Sequence, residues 1–379
     1  MSEGGLITPD VQFIRGMLSS GGKDLKKCMQ CGTCSVVCEL APQIEAFPRK
    51  QMFQAQWGLK ERLLADPAIW LCHNCGDCNT HCPRDARPGD VFGTLRQAAI
   101  EHFAWPGFVG KAVSRPGAFL LLLVVPVLLL WAVALPHPHF RPAAEAEFAD
   151  VFPIPYLEAL FFAVGGFVLA AVGVGLLRFA KALQSSGLVI HWGEIMAAVT
   201  EIMTHARFSK CTANQSRRLG HLFLLWGFVG LGIMGTIVGI GSMAGLMHTP
   251  IAMTNPLKIF ANLAAVAALA GCILLLVNRI QDPVTRSAST YFDWFFLLTL
   301  SGVVLTGFLS EFLRLTQTVA VMYGVYVIHL LLILLLLLYA PYSKFAHMMY
   351  RTIAMLAMRQ AEAGREVLKA REAAVGTDL

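Results

Sequence analysis

Residues 28–38 read Cys28-Met-Gln-Cys31-Gly-Thr-Cys34-Ser-Val-Val-Cys38, and residues 72–83 repeat the pattern as Cys72-His-Asn-Cys75-Gly-Asp-Cys78-Asn-Thr-His-Cys82-Pro83. Each run has the spacing C-x2-C-x2-C-x3-C, which is that of two-cluster iron–sulfur domains. The short steps aim three thiolates at three corners of one cubane, and the longer step turns the fourth thiolate away to the other. The expected ligand sets are therefore crossed. Cys28, Cys31, Cys34 and Cys82 take one [4Fe–4S] cluster, and Cys72, Cys75, Cys78 and Cys38 take the second. Structural zinc competes for Cys-x2-Cys pairs, but it needs four ligands per ion with a longer gap between the pairs. His73 and His81 lie where the thiolate count is already complete, so they are read as covering or tuning groups. Glu39 stands where the second run has Pro83 and removes no ligand. Outside the runs, Cys272 is expected to pack as a small residue inside a membrane span, and Cys211 has no assigned role.

Between the runs, residues 47–70 read as one helix from the spacing of Met52, Phe53, Trp57, Leu63 and Leu64, and 90–103 read as another. No strand pattern occurs, so this is a helical ferredoxin-like domain. Further along, the chain changes character. It is 56% hydrophobic and only 14% charged overall, a low share of charge for a soluble protein. Most of the charge lies in residues 1–116, and from Gly117 on apolar stretches of spanning length recur. Six spans are expected, at 117–135, 156–177, 221–246, 257–277, 291–313 and 319–340. The amphipathic stretch near 188–203 carries Glu194 and Glu201 and is expected to lie at the interface. The fold class is all-α. A two-cluster domain covers 1–110, a six-helix transmembrane bundle 111–350, and a polar, partly helical cytoplasmic tail 351–379.

All but three of the 30 Lys and Arg, namely Arg141, Lys258 and Arg314, fall on one side of this six-span arrangement. By the positive-inside rule both termini are then cytoplasmic, in a multi-pass protein of the cytoplasmic (inner) membrane. The net charge of +6 thus reports topology and contact with membrane lipid, and no nucleic-acid partner is expected. The N-terminus has no basic region followed by an apolar core, so no signal peptide is read there. The cysteines then sit where thiols stay reduced, which favours metal ligation over disulfides.

Ionisable groups inside spans are costly and are functional candidates. His329 lies in the apolar run Tyr326-Val-Ile-His329-Leu-Leu-Leu-Ile, and His347 follows eighteen residues later. On a continuous helix these two face the same way, roughly 27 Å apart, nearly the thickness of the hydrocarbon layer. His221 opens the third span on the same side as His347. His221 and His347 are expected to ligate one b haem, and His329 a second, giving one or two haems in all. For the partner of His329, His248 needs a helix break, which Gly239, Gly241 and Gly245 would permit, and His205 is a rival on the cytoplasmic side. Quinone chemistry needs a polar group near a haem. Glu311, Arg314, Lys258 and His248 form the favoured outer group, although cations at span ends commonly snorkel. On the inner side His102, His205 and Arg207 are the alternative neighbours.

Residues 28–90 resemble the helical ferredoxin of the heterodisulfide reductase C-subunit family. The stretch from His221 to His347, with its histidines eighteen apart around Pro341-Tyr-Ser-Lys344, resembles the cytochrome b subunit of respiratory nitrate reductases. That family has a second histidine ten residues into the span that begins at His221; here the position is Leu231. The fusion of both modules in this order is similar to the membrane-subunit family of the quinone-interacting membrane-bound oxidoreductase (Qmo) complexes of sulfate reducers. The resemblance implies exchange of electrons between menaquinone and cytoplasmic flavin/iron–sulfur subunits, and through them with adenylylsulfate reductase. A heterodisulfide- or sulfite-reduction complex would differ only in the soluble partner. A redox sensor would want an output domain, and a transporter would want broken, polar helices at midplane; neither pattern is present.

Overall fold

A computed structural model describes residues 8–39, 46–136, 148–206, 208, 215–282 and 289–359. Arg141, Arg207 and Cys211 lie outside the described residues. Among the described residues there are helices and turns and no strand.

The N-terminal domain is a set of short helices around the two cysteine runs. The runs fold alike. Gln30 and Asn74 both have positive φ, at 61° and 54°, and so do Gly32 and Gly76, at 89° and 94°. Each glycine precedes a one-turn helix, Thr33–Val36 or Asp77–Thr80. The left-handed glycine is what lets the chain reverse tightly enough to bring three thiols to one side. The expected single helix over 47–70 is instead three, Arg49–Gln56, Lys60–Leu64 and Ala68–Leu71. Gly58 causes the first break, with φ +65° and a position where a Cβ would lie 2.8 Å from the Asp10 carbonyl oxygen. Pro67 sets the second, as the residue before the last helix. Pro88–Phe103 is continuous, with Pro88 at its first position, where a missing N–H costs nothing.

Six helices are long and apolar enough to cross a membrane: Pro116–Ala134, Ile154–Ser185, Ser216–Met243, Pro256–Gln281, Tyr291–Leu315 and Val319–Leu338. Their outward residues, such as Leu120, Leu169, Ile233, Leu263 and Val266, are large, apolar and exposed. That is an aggregation liability in water and the normal surface of a helix in lipid. The starts of two spans are written in their caps. Asn255 accepts from the Leu257 amide ahead of Pro256, and Thr290 with Asp293 forms a capping box. The third and fourth spans touch backbone to backbone. A Cβ on Gly227 would lie 2.5 Å from the Ala268 nitrogen, and one on Gly271 would lie 2.5 Å from the Leu224 nitrogen.

Two expectations about the last span are corrected. The helix stops at Leu338, a 3-10 turn follows at Ala340–Tyr342, and a new helix runs over 346–359. His329 and His347 therefore do not share one continuous helix, because Pro341 cannot extend the helical hydrogen bonding. The expected tail is helical through 359, but this stretch is not polar. Ile353, Ala354, Met355, Leu356, Ala357 and Met358 are buried in the main core.

That core is shared between the cysteine domain and the ends of the spans that face it. Trp70 stacks on Tyr350 with ring centroids 5.0 Å apart and planes 13° from parallel, and both meet Phe179 of the second span edge-on. Each such buried aromatic contributes about 1.5–3 kcal/mol. The Tyr342 hydroxyl donates to the Trp105 carbonyl at 2.7 Å, and Arg178 donates to Ala104 at 2.9 Å. These bonds and rings seat the domain on the bundle.

Candidate functional site

The eight thiols of the two runs lie close together in the N-terminal domain. Cys28, Cys31, Cys34 and Cys82 line one cavity, with Arg49, Arg84 and Pro83 at its rim. Burial pushes the Cys28 and Cys34 thiols up, and Cys82 is among the neighbours felt at both. Cys31 is exposed and its thiol is pulled down by the Thr33 hydroxyl, 3.4 Å away. Burial raises Cys78 well above an ordinary thiol, and its charged neighbours are Cys72, Cys75, Cys38 and Cys34. So Cys82 stands with the first run, Cys38 with the second, and Cys34 faces both. Four thiolates held this close repel one another unless a cation group sits among them. A ring of thiols around a cavity suits a larger, multi-iron group.

N–H···S contacts are also in place. Gln30 Nε2 lies 3.4 Å from Cys28 Sγ, the Asn74 amide 3.3 Å from Cys72 Sγ and the Ala86 amide 3.3 Å from Cys82 Sγ. Such bonds stabilise added negative charge on a cluster and raise its potential. His81 is exposed, with Nδ1 on the Asp77 carbonyl. His73 is tied to Arg351 at 2.8 Å.

On the membrane side, His221, His205 and Phe208 form a triangle with ring centroids 6.0–6.1 Å apart. His347 is close enough for its charge to be felt at His221. His347 Nδ1 bonds the Lys344 carbonyl; a carbonyl only accepts, so Nδ1 carries the proton and Nε2 keeps its lone pair. Crowding by protein atoms pushes the His347 imidazole down, which favours the neutral, ligating form. Yet the residue is exposed, so the protein leaves it open to a further partner. Lys344, paired with Asp293 of the fifth span, has open surface too. Asp293 also takes Arg279 at 3.4 Å. Two imidazoles with Lys344 and Arg279 nearby are the donor and cation types that a b haem and its carboxylates would take. His205 is half-buried, its Nδ1 has no hydrogen-bond partner among the described residues, and its φ is +51°. Burial lowers its pKa.

His329 has a different setting. Thr306 of the fifth span gives its only hydroxyl proton to the Gly302 carbonyl at 2.6 Å. The 3.0 Å contact from Thr306 Oγ1 to His329 Nδ1 must then have the ring as donor. His329 Nε2 is left as the lone-pair nitrogen. The ring lies against Gly307, where a Cβ would come within 3.0 Å of Cε1. No second histidine is seen beside this ring among the described residues. Leu231 packs with Leu224, Ala268 and Cys272. Cys272 is buried, as expected of a small core residue.

In the outer group, Lys258 and Glu311 pair at 3.0 Å, and Asn262 reaches Glu311 at 3.4 Å. The described bonds do not bring His248, which is exposed, or the Arg314 side chain into that group. On the inner side, His102 packs edge-on against Phe103, and burial lowers its pKa. Sequence reasoning missed Asn262 and Thr306. It also missed Arg96, Arg217 and Arg351, which bond backbone carbonyls near Cys72. Polar residues on the apolar faces of spans were the only available signal for the first two.

Residues 24–86 match the family of 4Fe-4S dicluster domains. Iron–sulfur electron transfer is the chemistry of this domain. Relatives include the C subunit of the H(2):CoB-CoM heterodisulfide,ferredoxin reductase of Methanothermobacter thermautotrophicus, 33% identical over 112 residues, 30% of this chain and 58% of that protein. A heterodisulfide reductase C-subunit-like protein of Archaeoglobus profundus is 36% identical over 85 residues, 22% of this chain and 45% of that protein. An iron-sulfur C subunit of the CoB--CoM heterodisulfide reductase of Methanocaldococcus jannaschii is 35% identical over 79 residues, covering 21% and 42%. The chain spans about half the length of these curated relatives. No solved structure matches. The N-terminal part thus resembles the C subunits of heterodisulfide reductases, and it is joined to six apolar helices.

Proposed function

We propose that this chain is the membrane anchor and electron-transfer subunit of a quinone-linked oxidoreductase complex. It carries electrons between the menaquinone pool and cytoplasmic flavin/iron–sulfur partner subunits, as in the Qmo complexes of dissimilatory sulfate reduction, where adenylylsulfate reductase is the further partner. Cys28, Cys31, Cys34 and Cys82 hold one [4Fe–4S] cluster, and Cys72, Cys75, Cys78 and Cys38 the other. His221 and His347 hold a b haem, and His329 is the candidate ligand of a second. When bound, these groups supply one-electron redox steps, and the protein's part is to place them and tune their surroundings. The outer pair Glu311 and Lys258, with His248 and Arg314 nearby in sequence or at span ends, is assigned to quinone. Both termini are cytoplasmic.

One observation supports the reading above all others. Arg217 reaches the carbonyl of Asn74, between Cys72 and Cys75, at 2.8 Å, and His221 follows one helical turn later on the same span. On this reading the cluster ligands of the soluble domain and the haem ligands of the membrane domain lie close together, as a relay requires. A second reading follows from the relatives, which are heterodisulfide reductase C subunits. On it, the soluble partner is a heterodisulfide- or sulfite-reducing protein, and the relay within this chain is unchanged.

The experiment is haem and cluster quantification on the full chain purified in detergent, with reduction by a menaquinol analogue. His221→Ala and His347→Ala should each remove the same haem, because each leaves the iron with one protein ligand. If the two variants lose different haems, or none, the ligand assignment fails.

A further inference from the structure

The two cysteine runs fold alike but meet different charges at one equivalent pair of carbonyls. Three residues before the first ligand, and at the ligand itself, the backbone oxygens accept from a side chain. In the first run these are Leu25 and Cys28, and both are taken by the neutral amide of Gln56, at 3.2 and 2.8 Å. In the second run they are Ile69 and Cys72, and both are taken by the guanidinium of Arg96, at 3.2 and 3.1 Å. Two further arginines close on the same loop from the membrane domain. Arg217 of the third span donates to Asn74 at 2.8 Å. Arg351 of the 346–359 helix donates to Trp70 at 2.9 Å and to His73 Nε2 at 2.8 Å.

We propose that Arg96, Arg217 and Arg351 clamp the ligand loop 69–75 and hold the cluster of Cys72, Cys75, Cys78 and Cys38 at a higher reduction potential than its twin. The proposal rests on the electron-transfer reading above. A cation beside a cluster stabilises the form with the extra electron, and in a partly buried place this is weakly screened. All three arginines are partly buried, and Arg217 is near enough to feel the charges of Cys75 and Cys72. The two cations that line the first cluster's cavity, Arg49 and Arg84, are exposed, so solvent and salt weaken them. The higher-potential cluster is thus the one beside the membrane domain, where an electron leaving the spans would be received. The clamp spans three elements from both domains, so it also fixes the ligand loop against the bundle.

The test is a redox titration of the full chain in detergent, followed by paramagnetic resonance, with Cys31→Ser and Cys75→Ser identifying which signal belongs to which cluster. Arg96→Gln copies the arrangement of the first run, where a glutamine already satisfies both carbonyls. It should lower the potential of the Cys72 cluster alone, by about tenfold in its oxidised-to-reduced ratio at fixed potential, ~59 mV for a one-electron couple. Arg96→Lys should restore most of the shift, and Gln56→Arg should raise the other cluster. If Arg96→Gln proves unstable, Arg217→Gln and Arg351→Gln give the same readout. Unchanged potentials, or equal shifts of both clusters, would overturn the clamp. Absence of two clusters in the unsubstituted protein would instead refute the electron-transfer reading itself.

Discussion

Replacing Gly227 by alanine should loosen the pair of spans that carries His221. The third and fourth spans meet here with no side chain between them. An added Cβ would sit 2.5 Å from the Ala268 nitrogen, 2.6 Å from the Ala264 oxygen and 2.8 Å from the Ala268 Cα. Ordinary contact begins near 3.4 Å, so the helices must part by about 0.9 Å, and all three obstructing atoms are backbone. No rotamer change relieves that. Overpacking of this kind costs about 1–3 kcal/mol, whereas the helix-propensity gain of alanine over glycine is about 1 kcal/mol. The steric cost should win, with a net loss of up to about 2 kcal/mol. Gly232, on the same helix, supplies the control, because a Cβ there meets nothing within 4 Å. Thermal unfolding in detergent, followed together with haem retention, separates the two. Gly227→Ala should melt a few degrees lower and release haem earlier, while Gly232→Ala should melt at or slightly above the parent temperature. If Gly227→Ala is as stable as Gly232→Ala, backbone contact does not hold these spans together.

Other consequences can be checked with single variants. Cys38→Ser should damage the cluster of Cys72, Cys75 and Cys78 and spare the other, and Cys82→Ser should do the reverse; paramagnetic resonance that shows each variant harming its own run's cluster would disprove the crossover. Thr306→Val removes the acceptor that orients His329, so any haem held by His329 should be lost or broadened in its spectrum while the His221 and His347 haem stays intact; equal loss of both would show that Thr306 acts on the fold. Glu311→Gln should slow menaquinol-driven haem reduction with haem content unchanged, and normal turnover would remove Glu311 from the quinone site. Trp70→Ala should destabilise the seat of the cysteine domain by about 3–5 kcal/mol, read as protease sensitivity near residue 104; an unchanged digestion pattern would argue that the stack on Tyr350 carries little.

Much of the architecture could be read because its signals are local. The cysteine runs, the six apolar stretches and the start of the helix at Pro88 each depend on residues within a few positions of one another. A local pattern misleads where it meets a distant constraint. The spacing of Met52, Phe53 and Trp57 is helical, but Gly58 fits tightly beneath the Asp10 carbonyl, and the chain must turn there. The eighteen-residue interval between His329 and His347 is a whole number of helical turns, yet Pro341 breaks the helix between them. The segment after Tyr350 looks polar because Arg351 and Arg359 punctuate it, while its intervening Ile353 to Met358 are core. The arginine clamp was the least legible feature. Its acceptors are backbone carbonyls as far as 281 residues away in the chain, and no residue type marks a carbonyl in need of a donor.

The most direct test of the central claim, a two-cluster relay joined to a haem-bearing membrane bundle, is to count the groups in the purified full chain. Acid-labile sulfide, iron and extracted haem should be measured on one sample and compared with protein. Such a relay holds about eight sulfides, two cubanes of four, together with b haem that a menaquinol analogue reduces. About four sulfides, or eight with no haem at all, would contradict it.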